Sequence, residues 1–324
     1  MIGGVLDSPA RFRPARATAP TVLLGPQRFQ IIAGQVVAAL EVDGAIATIT
    51  AGWEEREDED AELDEILGGR SANLRLHHRM FDVLAKDTTF AAAALEFRDR
   101  QDELLDFYRL RLTPALAAVN AARKRTSRLG EGPPAVADAI ESLRALDRWY
   151  LDRLGVLLAE FDERSARDDS ELIGWHRGEI AAILGGAGAV VLTGGNVATL
   201  LRALWLFDAA VPPDKPVVAW SAGAMVLTDT IVLFHDFASR GPSADELYAR
   251  GLGRLPGIVV LPHARRRLDL DDHPRMSVLA RRFADHRMLL LDDGARLPLS
   301  PDGPLPAGAK VLGTDGAVTE VRRG

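Results

Sequence analysis

A single serine interrupts the run Val217-Val218-Ala219-Trp220-Ser221-Ala222-Gly223-Ala224, in which every other residue is apolar or small. A strand that turns sharply into a helix needs small neighbours, so that the backbone can bend and lift the Ser221 oxygen clear of it. The same turn aims the amide of Ala222 at a substrate oxygen and sets a helix N-terminus beneath the negative charge that develops there. That is half of an oxyanion hole. A serine among small residues also caps ordinary helices, and Ala219 stands where a nucleophile turn usually has glycine, so the motif alone serves either role.

Three other segments carry chemistry. Thr193-Gly194-Gly195-Asn196 follows a predicted strand; paired glycines there let backbone amides approach a ligand, with Gly195 as the second oxyanion donor and Gly194 and Asn196 as substrate contacts. A plain strand-to-helix loop would use the same residues. Leu261-Pro262-His263 places an imidazole at the end of an apolar run, where α/β proteins collect functional groups, and a serine nucleophile needs such a base. Leu289-Leu290-Leu291-Asp292-Asp293-Gly294 ends a further strand in two carboxylates, either of which would orient His263, although acidic pairs before glycine also form turns. The remaining histidines, His77, His78, His176, His235, His273 and His286, lie on helices or among charged residues and read as structural or solvated.

The elements that must position these groups alternate as in an α/β protein. Thr21 to Leu24 and Ala45 to Thr50 are β-prone and flank an apolar, helix-length stretch from Phe29 to Glu41. An acidic stretch, Glu54 to Glu65, leads into about a hundred residues that read as helical throughout. Val136, Ile140, Leu143, Tyr150, Leu154, Leu157 and Phe161 form one apolar stripe, with Asp147 in a slot that should be apolar. Phe97, Leu104, Tyr108 and Leu112 mark a partner helix, which Thr113-Pro114 would end and restart. Gly130 to Pro134 supplies the turn between the partners. The α/β rhythm returns with a helix from Ser170, strands at Ala189 to Leu192, Pro216 to Ala219, Ile258 to Leu261 and Met288 to Leu291, and a tail hairpin around Asp315-Gly316. The expected division is an N-terminal extension (1–20), a first α/β part (21–70), a helical insertion (71–170), a catalytic α/β part (171–300) and a C-terminal hairpin or tail (301–324). The insertion reads as a hairpin that packs on the α/β part or on a second subunit, making a homo-oligomer.

Composition narrows the classes. With 324 residues, 47% of them hydrophobic, the chain can bury a full core. Its formal charge of −7 offers no cationic surface for nucleic acid or an anionic membrane. The absence of cysteine removes disulfides, thiolate zinc sites and thiol nucleophiles. Arg11, Arg13 and Arg16 are not followed by a continuous apolar stretch, so a secretory signal is not expected and a cytoplasmic location is. Ala181 to Leu201 is uncharged but broken by five glycines, which argues against a membrane span.

Taken together, Gly194-Gly195-Asn196, Trp220-Ser221-Ala222-Gly223-Ala224, Pro262-His263 and Asp292-Asp293-Gly294 resemble the dipeptidase E and cyanophycinase family of serine peptidases over Ala189 to about Leu297. The resemblance implies a three-layer α/β sandwich of the class I glutamine amidotransferase type, with a mostly parallel central sheet and, here, a long helical insertion that the family lacks. It also implies Ser221 as nucleophile, His263 as base and Asp293 as the acidic member, with no metal or organic cofactor. The chain order Ser, His, acid differs from the Ser, acid, His order of α/β-hydrolases. Glutaminase activity does not come with the fold, since the thiolate it needs is missing. Family members hydrolyse amide bonds beside an aspartyl residue, which calls for a cation near the substrate carboxylate. Among Arg265, Arg266 and Arg267, the last has the family's spacing of four from the histidine. The expected substrate is a small peptide or isopeptide. Three departures, Ala219, Asp293 where the family more often has Glu, and the insertion, support the alternative of a non-catalytic binding or assembly protein with the same fold. An esterase or acyltransferase using the same nucleophile is a third reading.

Overall fold

The computed structural model describes residues 17–237, 244–300 and 303–322. In chain order the elements are β1 (Thr21–Leu24), α1 (Ala33–Ala38), β2 (Ala45–Ile49), α2 (Ala61–Ile66), β3 (Ser71–Asn73), α3 (Leu76–Lys86), α4 (Thr88–Lys124), α5 (Gly132–Ser165), α6 (Glu171–Gly186), β4 (Ala187–Leu192), α7 (Val197–Leu206), β5 (Val217–Trp220), α8 (Ala222–Val226), β6 (Ile231–Leu233), β7 (Glu246–Ala249), β8 (Ile258–Pro262), α9 (Ala264–Arg267), α10 (His273–Arg282), β9 (Arg287–Leu291), β10 (Arg296–Leu299), β11 (Lys310–Leu312) and β12 (Val318–Glu320).

The central sheet runs β10-β1-β5-β4-β2-β3, parallel except for β10. Its strands are apolar on both faces because both are covered. Val22, Leu24, Ile46, Ala189, Val191 and Val218 pack under α1 and α2. The alternate residues Leu23, Ala47, Ile49, Val190, Leu192 and Val217 join a larger core with α6, α7 and α8. The fold is therefore mixed α/β with a mostly parallel central sheet, as expected.

Several local expectations need correction. The segment from Phe29 to Glu41 is helical only over Ala33–Ala38, because the Gln27 side chain accepts hydrogen bonds from the N–H groups of Ile32 and Ala33 and fixes the start there. Ser71–Asn73, placed by sequence in the helical block, is an edge strand parallel to β2. Three residues are too few to show a period of two. The helices that follow therefore begin at Leu76. Pro114 does not end its helix: α4 passes through it. The hydrogen bond that proline removes is offset by packing, since Leu104, Tyr108, Leu112 and Val119 of α4 are buried along with Val136, Ile140, Leu143, Tyr150 and Leu154 of α5.

The second sheet, β12-β11-β9-β8, was not foreseen as separate. The strand that leads to His263 belongs to it, whereas the strand that leads to Ser221 lies in the central sheet. The two sheets are joined where β9 passes through the turn at residues 292–295 into β10, which pairs with β1. Gly25, just after β1, donates its N–H to Ala295 O, and a Cβ there would lie 1.9 Å from Asp292 O. This close approach needs glycine, and it brings the ends of β8 and β9 beside the end of β5. Of the proposed N-terminal extension, residues 1–16 lie outside the described residues; the C-terminal hairpin forms as β11 and β12. Among the described residues, no helix is long and apolar enough to cross a membrane.

Candidate active site

Ser221 sits at the junction of β5 and α8 with φ 51° and ψ −123°. Such a backbone costs an L residue about 1–3 kcal/mol and persists only where the surroundings enforce it. Its hydroxyl makes no capping bond to α8, so of the two roles open to this serine, capping is not the one adopted. The surroundings that enforce the turn are identifiable. The Gly223 N–H bonds to Thr193 O at 2.9 Å, and a Cβ on Gly223 would lie 2.4 Å from Leu192 O. The first turn of α8 is thereby pressed against the end of β4.

The glycine pair after β4 packs on the same spot. A Cβ on Gly194 would stand 3.3 Å from the Ser221 hydroxyl oxygen. Gly195 has φ +113°, with Gly52 O where its Cβ would be. Among the described residues, the N–H groups of Gly195 and Ala222 have no hydrogen-bond acceptor, which leaves both available to a ligand. Asn196 departs from the expected role. Its Oδ1 accepts from the N–H groups of Ala198 and Thr199, capping α7, and its Nδ2 donates to Glu54 at 2.8 Å. The side chain is committed to holding the loop instead of facing a substrate.

His263 follows β8, with its N–H bonded to Leu291 O on the neighbouring strand, and its backbone is also left-handed (φ 56°). Its Nε2 lies 3.5 Å from the Ser221 hydroxyl oxygen. This is at the outer limit of a hydrogen bond, as catalytic contacts often are without substrate. Burial lowers the His263 pKa, and the charges of Arg267 and Arg266 lower it further, against opposing pulls from Asp293 and Asp292. The imidazole is thus biased toward its neutral, proton-accepting form.

The expected acidic member is less well placed. Asp293 accepts a hydrogen bond from Arg266 at 2.8 Å, and among the described residues neither carboxylate is hydrogen-bonded to His263. Asp292 accepts from the Arg265 N–H with Oδ1, while its Oδ2 is buried with no hydrogen bond. The shorter reach of aspartate and the arginine that competes for it account for the gap at Asp293.

Of the three consecutive arginines only one turns inward. Arg265 is exposed, and Arg266 pairs with Asp293 and stacks on Phe29. Arg267 is half-buried, its pKa is lowered by burial, and no carboxylate among the described residues pairs with it. It lines a cavity of about 310 Å³ together with Ser221, Gly195 and Ala222. Sequence reasoning missed Arg109 in this lining and Glu54 outside it. Arg109 comes from the middle of α4 and grips Glu246 of β7 through two bonds of 2.8 and 2.9 Å. One arginine among the many on a long helix gives no local signal. Glu54, in the short helical turn Ala51–Arg56 that follows β2, was also missed: with φ 59° and ψ −128° it has nearly the backbone of Ser221, and its carboxylate holds both Asn196 and Thr199.

No family model matches the chain, and no curated protein matches it. Among solved structures, one described as the crystal structure of a peptidase from an acI-B1 Actinobacterium is similar over 96% of this chain and 97% of that chain, at 14% identity and a TM-score of 0.38. A likeness at that score carries no functional argument.

Proposed function

We propose that this chain is a serine hydrolase, a peptidase or isopeptidase that cleaves amide bonds through an acyl-enzyme. As the Ser221 oxygen adds to the carbonyl, its proton passes to Nε2 of His263; the oxyanion is held by the N–H groups of Gly195 and Ala222. The imidazolium then returns the proton to the leaving amine, and water, activated by the same imidazole, releases the acid product. The Asp292–Asp293 pair supplies the acidic partner. Arg267 supplies the cation for a carboxylate on the substrate, in keeping with the aspartyl specificity that the sequence resemblance implies.

One observation carries this reading: a serine held in a strained strand-to-helix turn, its hydroxyl unused by the helix and 3.5 Å from a half-buried imidazole. The test is labelling with a small fluorophosphonate. Wild type should be labelled at Ser221 and Ser221→Ala should not, with an unchanged circular dichroism spectrum. Equal labelling of both would overturn the assignment. That no carboxylate among the described residues is hydrogen-bonded to His263 favours the second reading, a binding protein on the same fold, and an unlabelled wild type would select it.

A further inference from the structure

The inserted helices enclose a second cavity beside the first. It measures about 490 Å³, within the range of sites that take a drug-sized ligand. Met80, Phe81, Phe90, Phe97, Phe161 and Trp205 make its walls predominantly apolar. Phe81 and Leu95 are each 52% exposed at its lining, leaving aromatic and aliphatic surface open to water.

This chamber lies along the same seam as the cavity of Ser221. Val197 and Glu246 line the catalytic cavity, whereas Ala198, Thr199 and Tyr248 line the chamber. Glu246 and Tyr248 are both half-buried positions of β7, whose pairing with β6 slips by one residue at Tyr248, and α4 reaches β7 through Arg109 on Glu246. That helix turns Arg109 to the first cavity and Gln101 to the second. The partition includes Glu54, whose carboxylate holds Asn196 next to Gly195.

Among the described residues, Gln101 and His77 of the lining each carry a side-chain polar atom with no hydrogen bond. Gln101 is 8% exposed, and its carboxamide has no hydrogen bond among the described residues. His77 is 5% exposed and its Nδ1 is buried without a partner. Buried polar atoms are ordinarily paired, so the Nδ1 of His77 calls for a partner; an amide carried on an apolar group would supply it, with the water-accessible carboxamide of Gln101 as a second contact.

We propose that the chamber is the subsite for a large apolar residue, aromatic or aliphatic, of the peptide whose carbonyl Ser221 attacks, with that residue's backbone amide meeting Gln101 and His77. The substrate class is then a peptide with an apolar residue on one side and a carboxylate held by Arg267. This rests on the hydrolase reading of Ser221.

The test is a fluorescence titration of Ser221→Ala with dansyl-phenylalaninamide, alongside labelling of the parent by fluorophosphonates that carry an ethyl or a biphenylalkyl group. Saturable binding is expected. Ala94→Trp, which fills the chamber, should weaken binding at least tenfold, and Gln101→Leu should weaken it severalfold. The biphenyl reagent should label faster than the ethyl one in the parent but not in Ala94→Trp, while the ethyl rate stays unchanged. Gln101→Leu serves as the independent variant if Ala94→Trp does not melt like the parent. Labelling without saturable binding, or binding that neither variant alters, overturns the subsite alone. Binding without any labelling overturns its link to Ser221 together with the hydrolase reading.

Discussion

Asp147 of α5 and Arg282 of α10 form a buried ion pair, with the guanidinium 2.5 and 2.7 Å from the two carboxylate oxygens. The Tyr108 hydroxyl donates to the same carboxylate at 2.8 Å, and Arg282 also donates to Asp245 O. This explains the one polar residue in the apolar stripe of α5: the slot faces a cation, and through it the helical hairpin is fastened to the α/β body. Burial is the largest single influence and works against the charge on Arg282, but the hydrogen bonds it donates to Asp147 and the attraction of Asp147, Tyr108 and Asp245 together outweigh it and raise its pKa.

Removing one partner leaves a buried charge alone. Asp147→Ala should lose about 3–5 kcal/mol in urea unfolding, whereas Asp147→Leu combined with Arg282→Met should recover most of that loss. A double variant as unstable as the single one would show that the pair is not the fastening.

The pH dependence of labelling reports His263. Its pKa is lowered, first by burial, and the neutral form is the base, so the acid limb should fall below the ordinary histidine value of about 6.5. Arg267→Gln removes a cation that opposes the imidazolium and should move the limb up. Asp293→Asn removes an anion that favours it and should move the limb down. Shifts of the opposite sign would contradict the electrostatic arrangement.

The two carboxylates are distinguishable. Asp293 acts on His263 through its charge but is bonded to Arg266, whereas Asp292 keeps a buried oxygen with no hydrogen bond. Orientation of the ring needs an oxygen not already hydrogen-bonded, and Asp292 Oδ2, 3.7 Å from Arg265, is one, so Asp292→Asn should slow labelling by roughly 100-fold or more, and Asp293→Asn by less than tenfold. The reverse ranking would restore Asp293 as the acidic member.

Gly223→Ala should be destabilising by about 1–3 kcal/mol and should also slow labelling at Ser221, because its Cβ would meet Leu192 O at 2.4 Å and push α8 off β4. Thermal melting and labelling rate together check this. A fully labelled, fully stable variant would mean that the turn does not depend on that contact.

The sequence by itself determined the alternating α/β elements, the small residues of the Ser221 turn and the glycine pair facing it. These depend on local rules: a short apolar run makes a strand, and a tight turn excludes side chains. It also marked His263 and the acidic pair as strand-end residues. Tertiary structure alone decided which of these groups meet. The base arrives from a second sheet, held against the first at the Asp292–Ala295 turn. Arg109 reaches the site from a helix more than a hundred residues away in the chain, Arg266 draws Asp293 aside, and Asn196 turns to a helix cap. Such outcomes depend on competition among partners distant in sequence, and neither the spacing nor the type of any one residue records who its competitor will be.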